Sequence, residues 1–149
     1  MSKILEANHN NLEDLSLLFD LYRQFYRQPS NISEARLFLN ERIINKESVI
    51  YVSKEEDGNL SGFVQLYPIF TSVGLNRLWL LNDLFVKIEY RKKGIARNLI
   101  DRSKKLTKET NASGLLLETS KNNLEGNVLY PTEGFTLIDE SNFYFWKRI

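Results

Sequence analysis

The sequence holds no cysteine and a single histidine, His9. The first absence removes disulfides, thiolate metal sites and cysteine nucleophiles together. It also fits a reducing compartment, so cytoplasmic residence is expected. With one histidine and no cysteine, neither a Ser-His-Asp triad nor a zinc site has enough parts, and no metal is expected. No apolar run approaches the roughly 18 residues of a membrane span, which excludes a membrane partner of that kind. Glu6 places an acid within the first six residues and no apolar h-region accompanies it, so no signal peptide is expected. Charge of one sign is lacking too: 20 Lys and Arg stand against 19 Asp and Glu, a net charge of +1. That balance supplies no global field for nucleic acid. Repeats and Pro/Gly/Ser-rich linkers are absent, so residues 1–149 are expected to form one domain. The mix of 42% apolar and 26% charged residues is that of a soluble globular chain.

The periodicities supply the elements. Residues 2–7 suit a short first strand. Asn10 and Asn11 are candidate caps, with Glu13 and Asp14 at the positive end of a helix that carries Leu12, Leu15, Leu18, Phe19, Tyr22 and Phe25 up to Pro29. A second helix is expected from Ser33, with Ala35, Phe38, Leu39 and Ile43 facing inward. Val49–Val52 and Phe63–Tyr67 are strands about an Asp57-Gly58-Asn59 turn. A third strand runs from Gly74 to about Val86, and a helix from near Gly94 to Glu109. Then come a strand over Leu115–Glu118, a short helix over Leu124–Tyr130, and closing strands over Phe135–Ile138 and Phe143–Trp146. Helices, an antiparallel meander and a strand–helix–strand crossover make an α+β (mixed α/β) domain. Trp79 and Trp146 are expected in its core, and His9 on its surface without a role.

The chemistry concentrates after the third strand. Leu84-Phe85-Val86 is followed by a basic loop, Arg91-Lys92-Lys93, and by Gly94 at a helix start. Free N–H groups at a helix amino terminus attract anions, and the helix dipole adds to that attraction. Gly94 lets the backbone approach a phosphate, and the small Ala96 avoids crowding it. Between Lys87 and Lys108 nine residues are basic and two acidic, although the chain is near neutral. A plain basic strand-to-helix connection has the same composition. The segment is neither a Walker loop nor a G-x-G-x-x-G fingerprint.

Arg91-Lys92-Lys93-Gly94-Ile95-Ala96 resembles the R/Q-x-x-G-x-G/A motif of the GNAT N-acetyltransferase superfamily. Downstream, Asn123-Leu-Glu-Gly126-Asn-Val-Leu129-Tyr130-Pro-Thr-Glu-Gly134-Phe135 is similar to that superfamily's N-x-x-A-x-x-L-Y-x-x-x-G-F segment. Leu117-Glu118-Thr119 and Asn122 resemble a subgroup acting on small amines and amino acids. The resemblance implies a mixed, mostly antiparallel sheet flanked by helices, splayed at a strand–helix–strand coenzyme site. It implies acetyl-CoA as co-substrate and a primary amine, of a small molecule, as acceptor. The backbone of Leu84, Phe85 and Val86 would face the pantetheine arm. The amides of Arg91, Lys92, Lys93, Gly94, Ile95 and Ala96 would cradle the pyrophosphate. Asn123 would contact the coenzyme near its pantetheine end, and Tyr130 would act as general acid to the thiolate.

Direct attack of an amine on a thioester needs positioning, an oxyanion donor such as the Val86 N–H, a base and an acid. Asp83 and Glu118, on adjacent central strands, are candidate bases. Tyr22–Arg27 is the candidate acceptor wall; Tyr22 and Phe25 as core, with Arg23 and Arg27 solvated, is the plainer reading. Two departures from the motif stand out: Gly126 replaces the usual alanine, and Pro131 follows Tyr130, where it is expected to end or tilt the helix. A non-catalytic acyl-CoA sensor, and a protein lysine or N-terminus as acceptor, are the alternatives. RNA binding predicts aromatics among the charges, and only Tyr90 is nearby. Monomer and homodimer are both open.

Overall fold

The computed structural model describes all 149 residues, which form two compact units, Met1–Glu118 and Thr119–Ile149. The first unit is a five-stranded sheet with helices. Its strands are β1 (Lys3–Glu6), β2 (Val49–Lys54), β3 (Leu60–Thr71), β4 (Asn76–Val86) and β5 (Leu115–Leu117), side by side in chain order. The first three pairings are antiparallel and the last, β4 with β5, is parallel. A parallel neighbour needs a crossover, supplied by α3 (Ile95–Glu109). The expected mixed, mostly antiparallel α+β sheet domain is what the chain forms.

Strand alternation sorts the core. Ile50, Val52, Phe63 and Phe85 point to the face covered by α1 (Leu12–Phe25) and α2 (Ile32–Ile44), where they pack with Leu12, Leu15, Leu18, Phe19, Ala35 and Leu39. Tyr51 and Val64 point the other way, and the Arg102 guanidinium of α3 lies 4.3 Å over the Tyr51 ring. On α3, Ile95, Leu99, Ile100 and Leu106 are buried, whereas Arg97, Lys105 and Lys108 lie toward solvent. Burial of each such side chain contributes about 1.5–3 kcal/mol.

Local chemistry fixes the helix starts. The real cap of the first helical segment is Asn8, whose side chain accepts from Asn10 at the head of a 3-10 turn leading into α1. Asn31 caps α2 by accepting from the Glu34 N–H over 3.2 Å. The intervening turn is tied to α1 by buried Asp20. Its carboxylate accepts from the Asn31 N–H (2.7 Å), the Ser30 hydroxyl (2.7 Å) and the Gln24 amide (2.9 Å). Phe38, expected inward, is partly exposed yet stacks on Phe19 with ring centroids 5.9 Å apart.

The second unit contains α4 (Leu124–Thr132). Pro131 lies in its last turn and does not end it. Only one hydrogen bond is forfeited there, and Gly134, at φ +88°, closes the end as Phe135 N–H donates to the Tyr130 carbonyl. The expected closing strands do not form. Residues 136–149 hold no strand and are exposed throughout, and Trp146, expected in a core, is 81% exposed. A strand needs a hydrogen-bonding neighbour, and this segment has none.

Candidate active site

The site grows from the end of β4. Its pairing with β5 covers only Trp79, Leu80 and Leu81, because β5 stops at Leu117. From Asn82 to Val86 the strand keeps β3 on one side and has no strand on the other. The peptide groups of that free edge are open to pair with an extended ligand.

Beyond Val86 the chain makes a 3-10 turn over Ile88–Tyr90 and a loop into α3. Lys92 and Gly94 both adopt positive φ, +61° and +81°. No side chain caps α3, and the N–H groups of Lys92, Lys93, Gly94, Ile95 and Ala96 have no acceptor within the chain. Alternating left-handed residues turn such donors toward one point, a ready anion cradle. The Arg91 N–H is not among them, since it donates to the Ile88 carbonyl. Its guanidinium also turns back: Nε donates to the Val86 carbonyl over 2.9 Å, and the group lies 5.5 Å and 5.8 Å from the Phe25 and Phe85 ring centres. Arg91 therefore fastens the loop to the strand end, while the backbone supplies the cradle.

Gly62 is a residue the sequence reading passed over. It stands opposite Val86 on β3, and a Cβ there would come 2.8 Å from the Phe85 carbonyl oxygen and 3.3 Å from Ile95. The missing side chain lets the end of β4 and the start of α3 share one floor. A lone glycine inside a strand was the only available signal.

Asp83 is buried at 5% exposure on the face under α1. Its carboxylate accepts from Gln65 Nε2 (2.8 Å), from Asn82 Nδ2 (3.0 Å) and from the Tyr22 hydroxyl. Gln65 in turn accepts from Ser48 over 2.9 Å. Burial pushes the Asp83 carboxyl above the usual carboxylate range, and these donors pull it back only in part. Burial, with the Asp83 charge added, also raises the Tyr67 phenol to about 12. Glu118, the other candidate base, is exposed one residue past β5 and has no hydrogen-bonding partner. The two carboxylates are thus unlike: one held and perturbed, one solvated.

Around Asp83 stands an aromatic cluster. Tyr22 packs against Phe63 at 5.5 Å, Phe85 at 6.0 Å and Tyr26 at 5.1 Å. Phe25, expected in the core, is 57% exposed beside Phe85. Trp79 is buried as expected, its indole N–H donating to Thr110 over 2.9 Å.

In the second unit both ends of the Asn123 amide are engaged. Oδ1 accepts from the Gly126 N–H (3.1 Å) as the cap of α4, and Nδ2 donates to Thr119 (2.9 Å). A Cβ at position 126 would lie 2.5 Å from that nitrogen and 3.2 Å from the Tyr130 ring, which explains a glycine where the motif has alanine. Tyr130 is half-buried, with Phe135 edge-on at 5.8 Å.

Comparison with known proteins bears on the same residues. Residues 15–135 match the model of the acetyltransferase (GNAT) family. An uncharacterised N-acetyltransferase of Bacillus subtilis, YhfO, is 39% identical over 132 residues, covering 89% of this chain and 88% of that one. A crystal structure of a probable acetyltransferase superposes with a TM-score of 0.93 at 36% identity, over 99% of this chain and 98% of that one. The protein AAC(6')-Iy shares the fold, with a TM-score of 0.81 at 18% identity over 99% of both chains. It was solved with the bisubstrate analogue CoA-S-monomethyl-acetylneamine. The open edge of β4, the uncapped loop of α3 and these matches lead to one assignment: the chain belongs to the GNAT acetyltransferase family and is an N-acetyltransferase.

Proposed function

We propose that the whole chain is one catalytic domain that moves an acetyl group from acetyl-CoA to the primary amine of a small molecule, in a ternary complex. The observation that carries this reading is the free β4 edge running straight into a loop of unfilled amide donors. Acetyl-CoA, when bound, supplies the thioester that the amine attacks. The backbone of Leu84, Phe85 and Val86 meets its pantetheine arm as a neighbouring strand would, and the Val86 N–H serves as oxyanion donor. The amides from Lys92 to Ala96 hold the pyrophosphate, with the Lys92 and Lys93 charges beside them.

Asp83 takes the amine proton, reached through Tyr22, because a raised carboxyl is a better base than an ordinary one. Solvated Glu118 is the weaker candidate. Tyr130 returns a proton to the departing thiolate, whose basicity a phenol with pKa near ~10 can match. We assign Asn123 to holding the start of α4, and with it Tyr130, since its own polar atoms are occupied. The aromatic cluster of Tyr22, Phe25 and Tyr26 forms the acceptor wall. A small-molecule acceptor accords with the acetylneamine part of the bisubstrate analogue with which AAC(6')-Iy was solved.

The test mixes the protein with acetyl-CoA and a panel of amines, and follows thiol release with a disulfide reagent. The absence of cysteine leaves no protein background. Release that depends on one small amine is the expected result. Tight coenzyme binding without turnover on any amine or peptide would favour the sensor reading.

A further inference from the structure

Gln65 is out of place in a core. It lies on β3 between Val64 and Leu66 and is 0% exposed, where an apolar side chain would pack at no polar cost. Its register sets it beside Ile50 of β2 and Asp83 of β4. Both ends of its amide are engaged. Nε2 donates to Asp83 Oδ2 over 2.8 Å, and Oε1 accepts from the Ser48 hydroxyl over 2.9 Å. The amide also bonds to the Tyr67 hydroxyl, a contact that lowers that phenol, so the amide is the donor there too. Two acceptors on one side and a donor on the other allow the amide one orientation. Ser48 stands half-buried just ahead of β2.

We infer that Ser48 and Gln65 are positioning residues for the Asp83 carboxylate, a polar strut that runs from the start of β2 across β3 to β4. The inference rests on the reading of Asp83 as the base that takes the amine proton. With Oδ2 held by Gln65 and Oδ1 by Asn82, the carboxylate is fixed at both oxygens. Ser48 acts one step removed. Without its O–H, the orientation that an ionised Asp83 demands leaves Oε1 as a buried carbonyl with no donor. The remaining amide bond is also less polarised. A protonated carboxyl escapes this cost, because it can donate to the carbonyl end of a turned amide. Loss of either residue therefore favours the protonated form. The groups that face Asp83 are Tyr22 from α1, Gln65 from β3 and Asn82 on β4, and none of them is charged. Tyr67 of β3 senses the Asp83 charge, and Arg42 and Glu47, which also act on Tyr67, bond to each other.

The test follows the carboxyl carbon resonance of Asp83 against pH in the full chain, with Asp83→Asn to assign it. In Gln65→Met the carboxyl is expected to titrate about 1–2 pH units higher, the equivalent of one bond to a charged group. Ser48→Ala is expected to move it the same way by a step about a third as large. Ser48→Thr, which keeps the hydroxyl, should restore the parent value. In the Gln65→Met background Ser48→Ala should add nothing, since its effect passes through the amide. The acid limb of kcat is expected to move with the carboxyl while acetyl-CoA affinity by calorimetry stays put. An Asp83 titration unmoved in Gln65→Met overturns the proposal, and so does a Ser48→Ala step that is undiminished in that background. If dichroism shows Gln65→Met unfolded, the Ser48→Ala and Ser48→Thr pair decides, and equal titrations in the two sink it. A carboxyl that moves while the kcat limb stands still supports the strut and removes Asp83 as the base, so the two failures are distinguishable.

Discussion

Gln65 donates to Asp83 over 2.8 Å at the one place where β3 and β4 lose register. Leu66 pairs with Leu81 and Gln65 with Asp83, which leaves Asn82 unmatched as a β-bulge. The bulge brings a buried carboxylate, its three donors and the free strand edge to one spot.

Asp83→Asn is expected to lower kcat by about 10²–10⁴-fold, the usual span for a general base. Acetyl-CoA affinity should hardly change, since the residue lies on the face under α1. In the parent enzyme activity is lost as pH falls through the raised Asp83 pKa, so the acid limb of kcat against pH belongs above the ordinary aspartate value. That limb should vanish in the variant. A limb that persists would move the role to Glu118.

Gly94→Glu is expected to weaken acetyl-CoA binding at least tenfold by calorimetry and leave the fold intact. A Cβ at this position meets nothing within 4 Å, so packing does not suffer. The cost lies in the φ of +81° and in a negative charge set among donors meant for an anion. Unchanged affinity would mean that the pyrophosphate sits elsewhere.

Tyr130→Phe should reduce kcat by about 10–10³-fold with acetyl-CoA affinity retained, because the ring contact with Phe135 survives and only the hydroxyl is removed. Equal loss of kcat and coenzyme affinity would identify a packing role instead.

Asp20→Ala is expected to destabilise the first unit by about 2–3 kcal/mol in urea titrations near neutrality, as several bonds to one buried carboxylate disappear. Burial alone would raise this carboxyl. The bonds from Ser30, Asn31 and Gln24, with the Arg23 charge, outweigh burial and hold it below its usual value. A depressed pKa gives stability that is present above the unfolded value and lost as pH falls through the folded one. The difference between parent and variant should therefore shrink in acid.

Gly126→Ala would ordinarily steady a helix by up to about 1 kcal/mol. Here the gain should appear only beside Asn123→Ala, because the added methyl otherwise collides with the capping amide. A double-mutant cycle followed by thermal melting measures that coupling.

Much of this was legible in the sequence. The helices, the meander and the Arg91–Ala96 loop follow from apolar spacing and from one glycine. The direction of the Arg91 side chain could not be read, since a charge count cannot tell a guanidinium aimed at a ligand from one folded back onto Val86 and two rings. Gly62 went unnoticed because its purpose is the room it leaves under Phe85 and Ile95, a relation between distant segments. Alternation could not tell Asp83 from Glu118, whereas the fold sets them apart, one buried and one exposed. The closing strands were expected from apolar runs alone, and such a pattern says nothing of the hydrogen-bonding neighbour a strand needs.

Asn82 has one more consequence. Side chains on a strand alternate, so a single unmatched residue acts as a phase shift for everything after it. Upstream, Leu81 points with Leu66; downstream, Asp83 and Phe85 point with Gln65 and Phe63. Taking Asn82 into regular alternation, with no bulge, would keep the same composition and turn the end of the strand over. The carboxylate and Phe85 would then lie beneath α3, and Leu84 would face Tyr22. The chemistry of this fold therefore hangs on one residue staying out of the ladder as much as on the kinds of residue within it.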